Sequence, residues 1–271
     1  MRKSIFLSAL ASSLFLLSAN ASASDLQFVT INDSTSYIRI NDPDTIASTL
    51  DIKVKYTLPV SGIKPANLIK LNDMLMSTAD VNYDLNGYLT PSQAVEYDGG
   101  QWVPATPANS AELLKKVRND ELPYSSLWGE DAEISPLYHD AERLTMAASN
   151  YIYVGGAHGM YFSYCANYSL KEQKFVYLHD LLPGLNSKEG FEKYSKVMEP
   201  ILTEIAKKVL TGDDGDSMML VDTVPISTDF AFTDKGIELR YQPYDIAPWS
   251  AGLVSLPLTY SQLDEIVKAV R

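Results

Sequence analysis

The chain has 271 residues, 46% of them hydrophobic, which is enough to bury one large core or two smaller ones. Its 34 Asp and Glu against 22 Lys and Arg give a formal charge of −12; such a surface repels nucleic acid and anionic lipid and favours cationic partners. A single cysteine, Cys165, excludes an internal disulfide, so stability has to come from packing.

The first residues carry the pattern of an export leader. Arg2 and Lys3 precede an apolar stretch from Ile5 to Leu17, and Ala19-Asn20-Ala21 and Ala21-Ser22-Ala23 both satisfy the A-x-A cleavage rule. The apolar stretch is shorter than the roughly 20 residues that cross a bilayer. Residues 1–23 are therefore expected to be a signal peptide, cleaved after Ala21 or Ala23. The mature chain is expected to be periplasmic or secreted and not membrane-spanning. Loss of Arg2 and Lys3 takes the charge from −12 to −14.

Leu50 to Leu58 alternates apolar and polar residues, the mark of a strand with one wet face. Leu68, Ile69, Leu71, Leu75 and Met76 follow at helical spacing. Asn86 to Pro136 is rich in Gly, Pro, Ser and Asp and reads as an insertion holding one helix, Ser110 to Leu122. Strands are expected over 143–154, 160–170 and 174–178. Phe191, Tyr194, Met198, Ile201, Leu202, Ile205 and Val209 predict a long amphipathic helix with Gly212 as its C-cap. Strands at 228–232 and 237–242 flank a turn in which Gly236 would supply a positive φ. A strand at 253–258 and a helix opened by a Thr259/Gln262 capping box close the chain. The expected class is α+β, antiparallel sheets with helices on one face. The expected domains are 24–142, an N-terminal α+β subdomain with the insertion, and 143–271.

Candidate chemistry is sparse. Gly155-Gly156-Ala157-His158-Gly159 sits between two predicted strands, where a hairpin corner needs positive φ, and it lacks the spacing of a dinucleotide loop. His158 has no orienting partner in the sequence, so it is expected to pin the corner rather than act as a base. His139-Asp140 and His179-Asp180 lack further ligands at helical spacing, so no metal site is expected; Asp180 is expected to cap a turn. Asn82 to Gln93 resembles a calcium-binding EF-hand loop, with Asn82, Asp84, Asn86 and Gly87 in register. Asn82 and Gln93, however, stand where two anionic ligands are needed, which predicts poor affinity. Cys165, beside Tyr164 and Ala166, is expected to be a buried, inert thiol. No nucleophile elbow or P-loop occurs, so no catalytic residue and no cofactor is assigned. The aromatic residues near loops, Tyr161, Tyr244 and Trp249, with His158, are the candidate binding residues.

Two segments together resemble a known family. "YIYVGGAHGMYFSYCANYSL" with "FVYLHDLL", and "FAFTDKGIELRYQPYDIAPWSAGLVSLPLTYSQL", are similar to the C-terminal domain of RsiV-like proteins, which include the extracellular part of a lysozyme-sensing anti-sigma factor. Gly155, Gly156, Ala157 and His158, with Gly159 closing the corner, carry the first motif, and Asp180-Leu181 the second. Pro243, Tyr244, Ile246, Ala247, Pro248 and Gly252 carry the last, with Asp245 and Trp249 departing from its usual Glu and Tyr. Leu50 to Ser77 is similar to a domain that precedes peptidoglycan deacetylases. The resemblance implies a non-catalytic envelope module that binds a cationic wall-degrading enzyme such as lysozyme. The alternative is an enzyme, or an enzyme's accessory domain, acting on peptidoglycan or another envelope polymer.

Overall fold

The computed structural model describes residues 26–39, 47–93, 95, 102–118, 125–212 and 215–271; the expected signal peptide lies outside them. The fold is α+β with mostly antiparallel sheets. In chain order the strands are β1 (Phe28–Arg39), β2 (Ala47–Pro59), β3 (Asn82–Tyr83), β4 (Leu89–Thr90), β5 (Trp102–Pro104), β6 (Ser125–His139), β7 (Arg143–Tyr153), β8 (Met160–Ser169), β9 (Lys174–Phe175), β10 (Phe230–Phe232), β11 (Gly236–Tyr241) and β12 (Val254–Thr259). The helices are α1 (Pro65–Ala79), α2 (Pro107–Arg118), α3 (Leu178–Leu181), α4 (Lys188–Val209) and α5 (Tyr260–Val270). The main sheet runs β5-β1-β2-β6-β7-β8-β9, and β10-β11-β12 form a second. Among the described residues no helix is long and apolar enough to cross a membrane.

Contacts divide the chain into two compact units, Met1–Ser135 with Ala148–Tyr161, and Pro136–Ala147 with Phe162–Arg271. In the first unit, β2 keeps the predicted alternation: Leu50, Ile52, Val54, Tyr56 and Leu58 are buried while Asp51, Lys53 and Lys55 face water. Each such apolar side chain contributes about 1.5–3 kcal/mol on burial. The strand β1 pairs antiparallel with β2, Ile31 opposite Tyr56, whereas β6 pairs with β2 in parallel, Leu50 beside Trp128. A parallel pair needs a long crossover, which α1 begins. Pro65 starts that helix where a missing N–H costs nothing. The helix expected at Ser110 begins instead at Pro107, and residues 119–124 lie outside the described set. The stretch expected to be a Gly/Pro-rich insertion thus contains, from Ser125, a strand at the centre of the sheet.

The second unit is built around α4. Ser187 accepts the Gly190 N–H at its start, and Tyr194, Met198, Leu202 and Ala206 face the core. Phe230, Leu239, Leu256, Leu263 and Ile266 fill the same core from β10, β11, β12 and α5. The cap is Leu210, not the expected Gly212. The capping box at α5 forms as the sequence predicts, with Thr259 accepting from Gln262 N and donating to its side chain. Gly236 needs no positive φ. Its reason is proximity: a methyl there would lie 2.0 Å from the Leu258 carbonyl oxygen across the β11–β12 pair.

Candidate functional site

The glycine corner lies in the first unit and is built as a turn. Gly155 and Gly156 take φ of 99° and 89°, the left-handed region that a side chain disfavours. Gly159 answers a different need, since a methyl there would meet the Tyr151 ring at 2.5 Å. Tyr153 donates its hydroxyl to Gly156 O, and His158 Nδ1 donates to Gly159 O at 2.9 Å. The ring therefore holds the corner's own backbone. Ala157 is exposed, and His158 and Tyr161 are half-buried.

The EF-hand-like loop is a hairpin in which Asn82 pairs with Thr90 and Tyr83 with Leu89. Asp84 Oδ1 accepts N–H groups from Asn86 at 2.7 Å and Tyr88 at 2.9 Å, so the loop's one matching carboxylate is turned onto its own chain. The aspartates of the two His-Asp pairs are also engaged locally. Asp180 Oδ2 accepts Tyr177 N at the start of α3, and Asp140 binds Tyr138 and Arg143. Among the described residues no group of three or more His, Cys, Asp or Glu is placed to share a metal.

A buried network in the first unit surrounds Glu130, which is fully buried. Its carboxylate accepts Ser92 N at 2.9 Å and Asn150 Nδ2 at 2.9 Å, and Asn150 also donates to Ala79 O. Desolvation pushes this carboxyl up, against the opposing pull of Asn150 and Ser92. The network ties both ends of the 80–92 hairpin to the sheet.

The closing motif lies in the second unit. Gln242 N donates to Asp245 Oδ2, and Tyr244 N to Ala247 O at 2.9 Å. These bonds hold Tyr244 at φ 74° with half of its surface in water, while Ile246 and Ala247 on its other side are buried. Pro243 is half-buried. Pro248 introduces a 3-10 turn, Trp249–Ala251, which ends at Gly252 with φ 66°. Trp249 is half-buried. Of the four candidate binding residues, His158 and Tyr161 thus belong to the first unit, Tyr244 and Trp249 to the second.

A polar layer in the second unit was invisible to sequence reading. Along β8, the N–H and C=O of residues 163, 165 and 167 face the same way. Ser163 N donates to Gln242 Oε1, and Gln242 Nε2 returns a bond to Ser163 O at 2.5 Å, as a neighbouring strand would. Cys165 N donates to Asp229 Oδ1 at 2.8 Å. Asn167 donates to Phe230 O and accepts from Thr145, whose hydroxyl also receives Phe232 N. Arg240, only 7% exposed, donates to Cys165 Sγ and to Ser163 Oγ. Cys165, expected to be buried with no charged neighbour, is instead half-buried, and Arg240, 75 positions away, brings a guanidinium to its sulfur. The thiol is nevertheless held neutral. Burial and the Asp229 charge push it up to about 12, outweighing Arg240. Asp229 itself is raised to about 6, chiefly by desolvation, against the Cys165 N–H and Arg240; its Oδ2 is buried without a hydrogen-bond partner.

Part of this unit is similar to a known family. Residues 187–261 match the family described as "Protein of unknown function (DUF3298)". The fold is similar to that of a crystallised DUF3298 family protein from Pseudomonas aeruginosa PAO1, at 17% identity and TM-score 0.51, covering 90% of this chain and 95% of that one. It is also similar to a DUF3298 family member from Bacteroides fragilis NCTC 9343, at 19% identity and TM-score 0.54, covering 93% and 99%. At these identities the likeness is one of fold. No curated protein matches the chain.

Proposed function

We propose that the chain is an exported envelope protein that binds a cationic wall-degrading enzyme such as lysozyme. Tyr244 carries this reading. A positive φ is an outlier for a bulky residue, and such strain persists where the surrounding structure imposes it. Here the imposed result is an aromatic ring standing in water beside a buried turn, the kind of anchor that interfaces use. The charge of −12, which becomes −14 on loss of Arg2 and Lys3 with the leader, supports a cationic partner by raising the encounter rate. The leader pattern supports export, and the resemblance of the closing motif to RsiV-like domains supports lysozyme as the partner.

The test is a titration of the mature chain with lysozyme at low and at physiological salt. Binding is expected to weaken as salt rises. Tyr244→Ala is expected to weaken it roughly tenfold or more with the fold intact. An absence of binding even at low salt removes this reading.

A further inference from the structure

The chain's one Asn-Gly pair, Asn86-Gly87, stands at the tip of the 82–90 hairpin. In such a pair the next residue's backbone nitrogen attacks the asparagine side-chain amide most readily, because glycine has no Cβ to crowd that nitrogen. The product is a cyclic imide, which water opens to a carboxylate. Gly87 takes φ of 83°, a conformation that a side chain disfavours, so the turn itself requires the glycine that makes the pair reactive.

Two Asn-Ser pairs, the next less crowded kind, sit in tighter settings. Asn109 lies in α2, where Ser110 N donates to Thr106 O at 2.9 Å and Asn109 Nδ2 donates to Pro104 O. Asn186 is exposed just before α4, and there Ser187 N donates to Gly184 O at 3.0 Å. At the hairpin tip Asn86 is exposed, its neighbour Leu85 is 89% exposed, and Gly87 N reaches Asp84 O only at 3.2 Å, the longest of the three bonds.

The Asn86 amide also has a structural part. Asp84 Oδ1 accepts the backbone N–H groups of Asn86 and Tyr88, and Asp84 Oδ2 accepts Asn86 Nδ2 at 3.4 Å. A carboxylate in place of that amide turns the donor into an acceptor and sets two like charges side by side. The base of the hairpin is held separately, by Glu130 on Ser92 N and by Asn150 on Ala79 O.

We infer that Asn86 is a site of hydrolytic modification, converted through a cyclic imide with Gly87 to aspartate or isoaspartate. The Gly87 nitrogen forms a bond to Asn86 Cγ, the Cγ–Nδ2 bond breaks, and ammonia leaves with the Gly87 proton. Water then opens one of the two imide carbonyls, with no change of oxidation state. Either product loosens the tip and leaves the base in place. The change needs only water and is independent of what the chain binds.

The experiment ages the mature chain in mildly alkaline buffer and follows it by peptide mapping, with enzymatic methylation to report isoaspartate. Asn86 is expected to convert about tenfold faster than Asn109 or Asn186, a barrier about 1.4 kcal/mol lower. Hydrogen exchange on the same samples is expected to quicken at the amides of residues 86 and 88 and to stay unchanged at Ser92. An Asn86→Asp chain stands for the product and is expected to exchange in the same way. An Asn86→Gln chain, whose longer side chain disfavours ring closure, is expected to stay unmodified in that peptide. Conversion of Asn109 or Asn186 ahead of Asn86, conversion only after unfolding in urea, or the same mass change in the Asn86→Gln chain overturns the site. Converted chains with unaltered exchange at residues 86 and 88 overturn the loosening.

Discussion

Two arginines of the second unit each have an aspartate nearby, and the two settings drive those aspartates in opposite directions. Arg143 stands at the β6–β7 corner with its guanidinium 5.3–5.4 Å from the rings of Tyr138, Phe232 and Tyr260. It bonds Asp140 directly, and that carboxylate also receives the Tyr138 hydroxyl and two backbone N–H groups. Desolvation raises the Asp140 pKa, but these donors outweigh it and bring the carboxyl to about 2. Arg240 is the more buried of the two, and it gives its N–H groups to a thiol and a hydroxyl rather than to Asp229. Asp229 keeps one N–H donor and an unpartnered oxygen, and desolvation prevails. An arginine close to an aspartate is therefore no guarantee of a stabilised carboxylate; the number of hydrogen bonds aimed at the oxygens decides the sign.

Removing Arg240 sharpens this contrast most. Arg240→Leu leaves Asp229 as a buried, uncompensated charge and is expected to cost about 3–5 kcal/mol in urea unfolding at pH 8. The loss is expected to shrink at pH 5, where Asp229 takes a proton; equal losses at both pH values would break the contrast. Next comes the pH dependence of the wild-type chain. Because the folded pKa of Asp229 is raised from 3.8, its contribution is full below about pH 4 and is lost as pH rises through about 6, at most about 3 kcal/mol. Asp140 has the opposite sign: its contribution is present above about pH 4 and is lost as pH falls through about 2. Asp229→Asn should flatten the slope between pH 4 and 6 and leave the acid limb below pH 4 unchanged. An unaltered slope would remove Asp229 as its source. Arg143→Ala is expected to have the smallest effect, about 1–2 kcal/mol, since its ion pair is partly exposed and its ring contacts are modest one by one. Carboxyl NMR in that variant should show Asp140 titrating closer to 3.8.

What could be read in the sequence was local. The alternation of β2, the positive φ at Gly155 and Gly156, the capping role of Asp180 and the Thr259/Gln262 box all follow from spacings of a few residues, and the structure has each of them. The strand β1 escaped because its polar run, Thr30 to Ser36, shows no apolar alternation; its partner β2 holds it. β6 escaped because its parallel pairing with β2 is made across 78 residues, beyond any local pattern. The setting of Cys165 depends on Asp229 and Arg240, and that of Ser163 on Gln242, contacts that only the tertiary fold creates. Gly236 shows a subtler gap. The residue type was legible, but its reason, contact with Leu258 O, lies in another strand.

The paired bonds between Gln242 and Ser163 also bear on how the protein behaves in a crowd. On the outer margin of β8 beyond the two residues of β9, Asp229 takes the Cys165 N–H, and without Gln242 the amide and carbonyl of Ser163 would be offered to any molecule of its own kind. A glutamine amide has one donor side and one acceptor side, so it occupies that margin as a peptide bond would, yet it cannot be extended into a further strand. Gln242→Leu should leave the margin open at Ser163, and concentrated solutions of that variant should self-associate more than the parent chain, as light scattering would show.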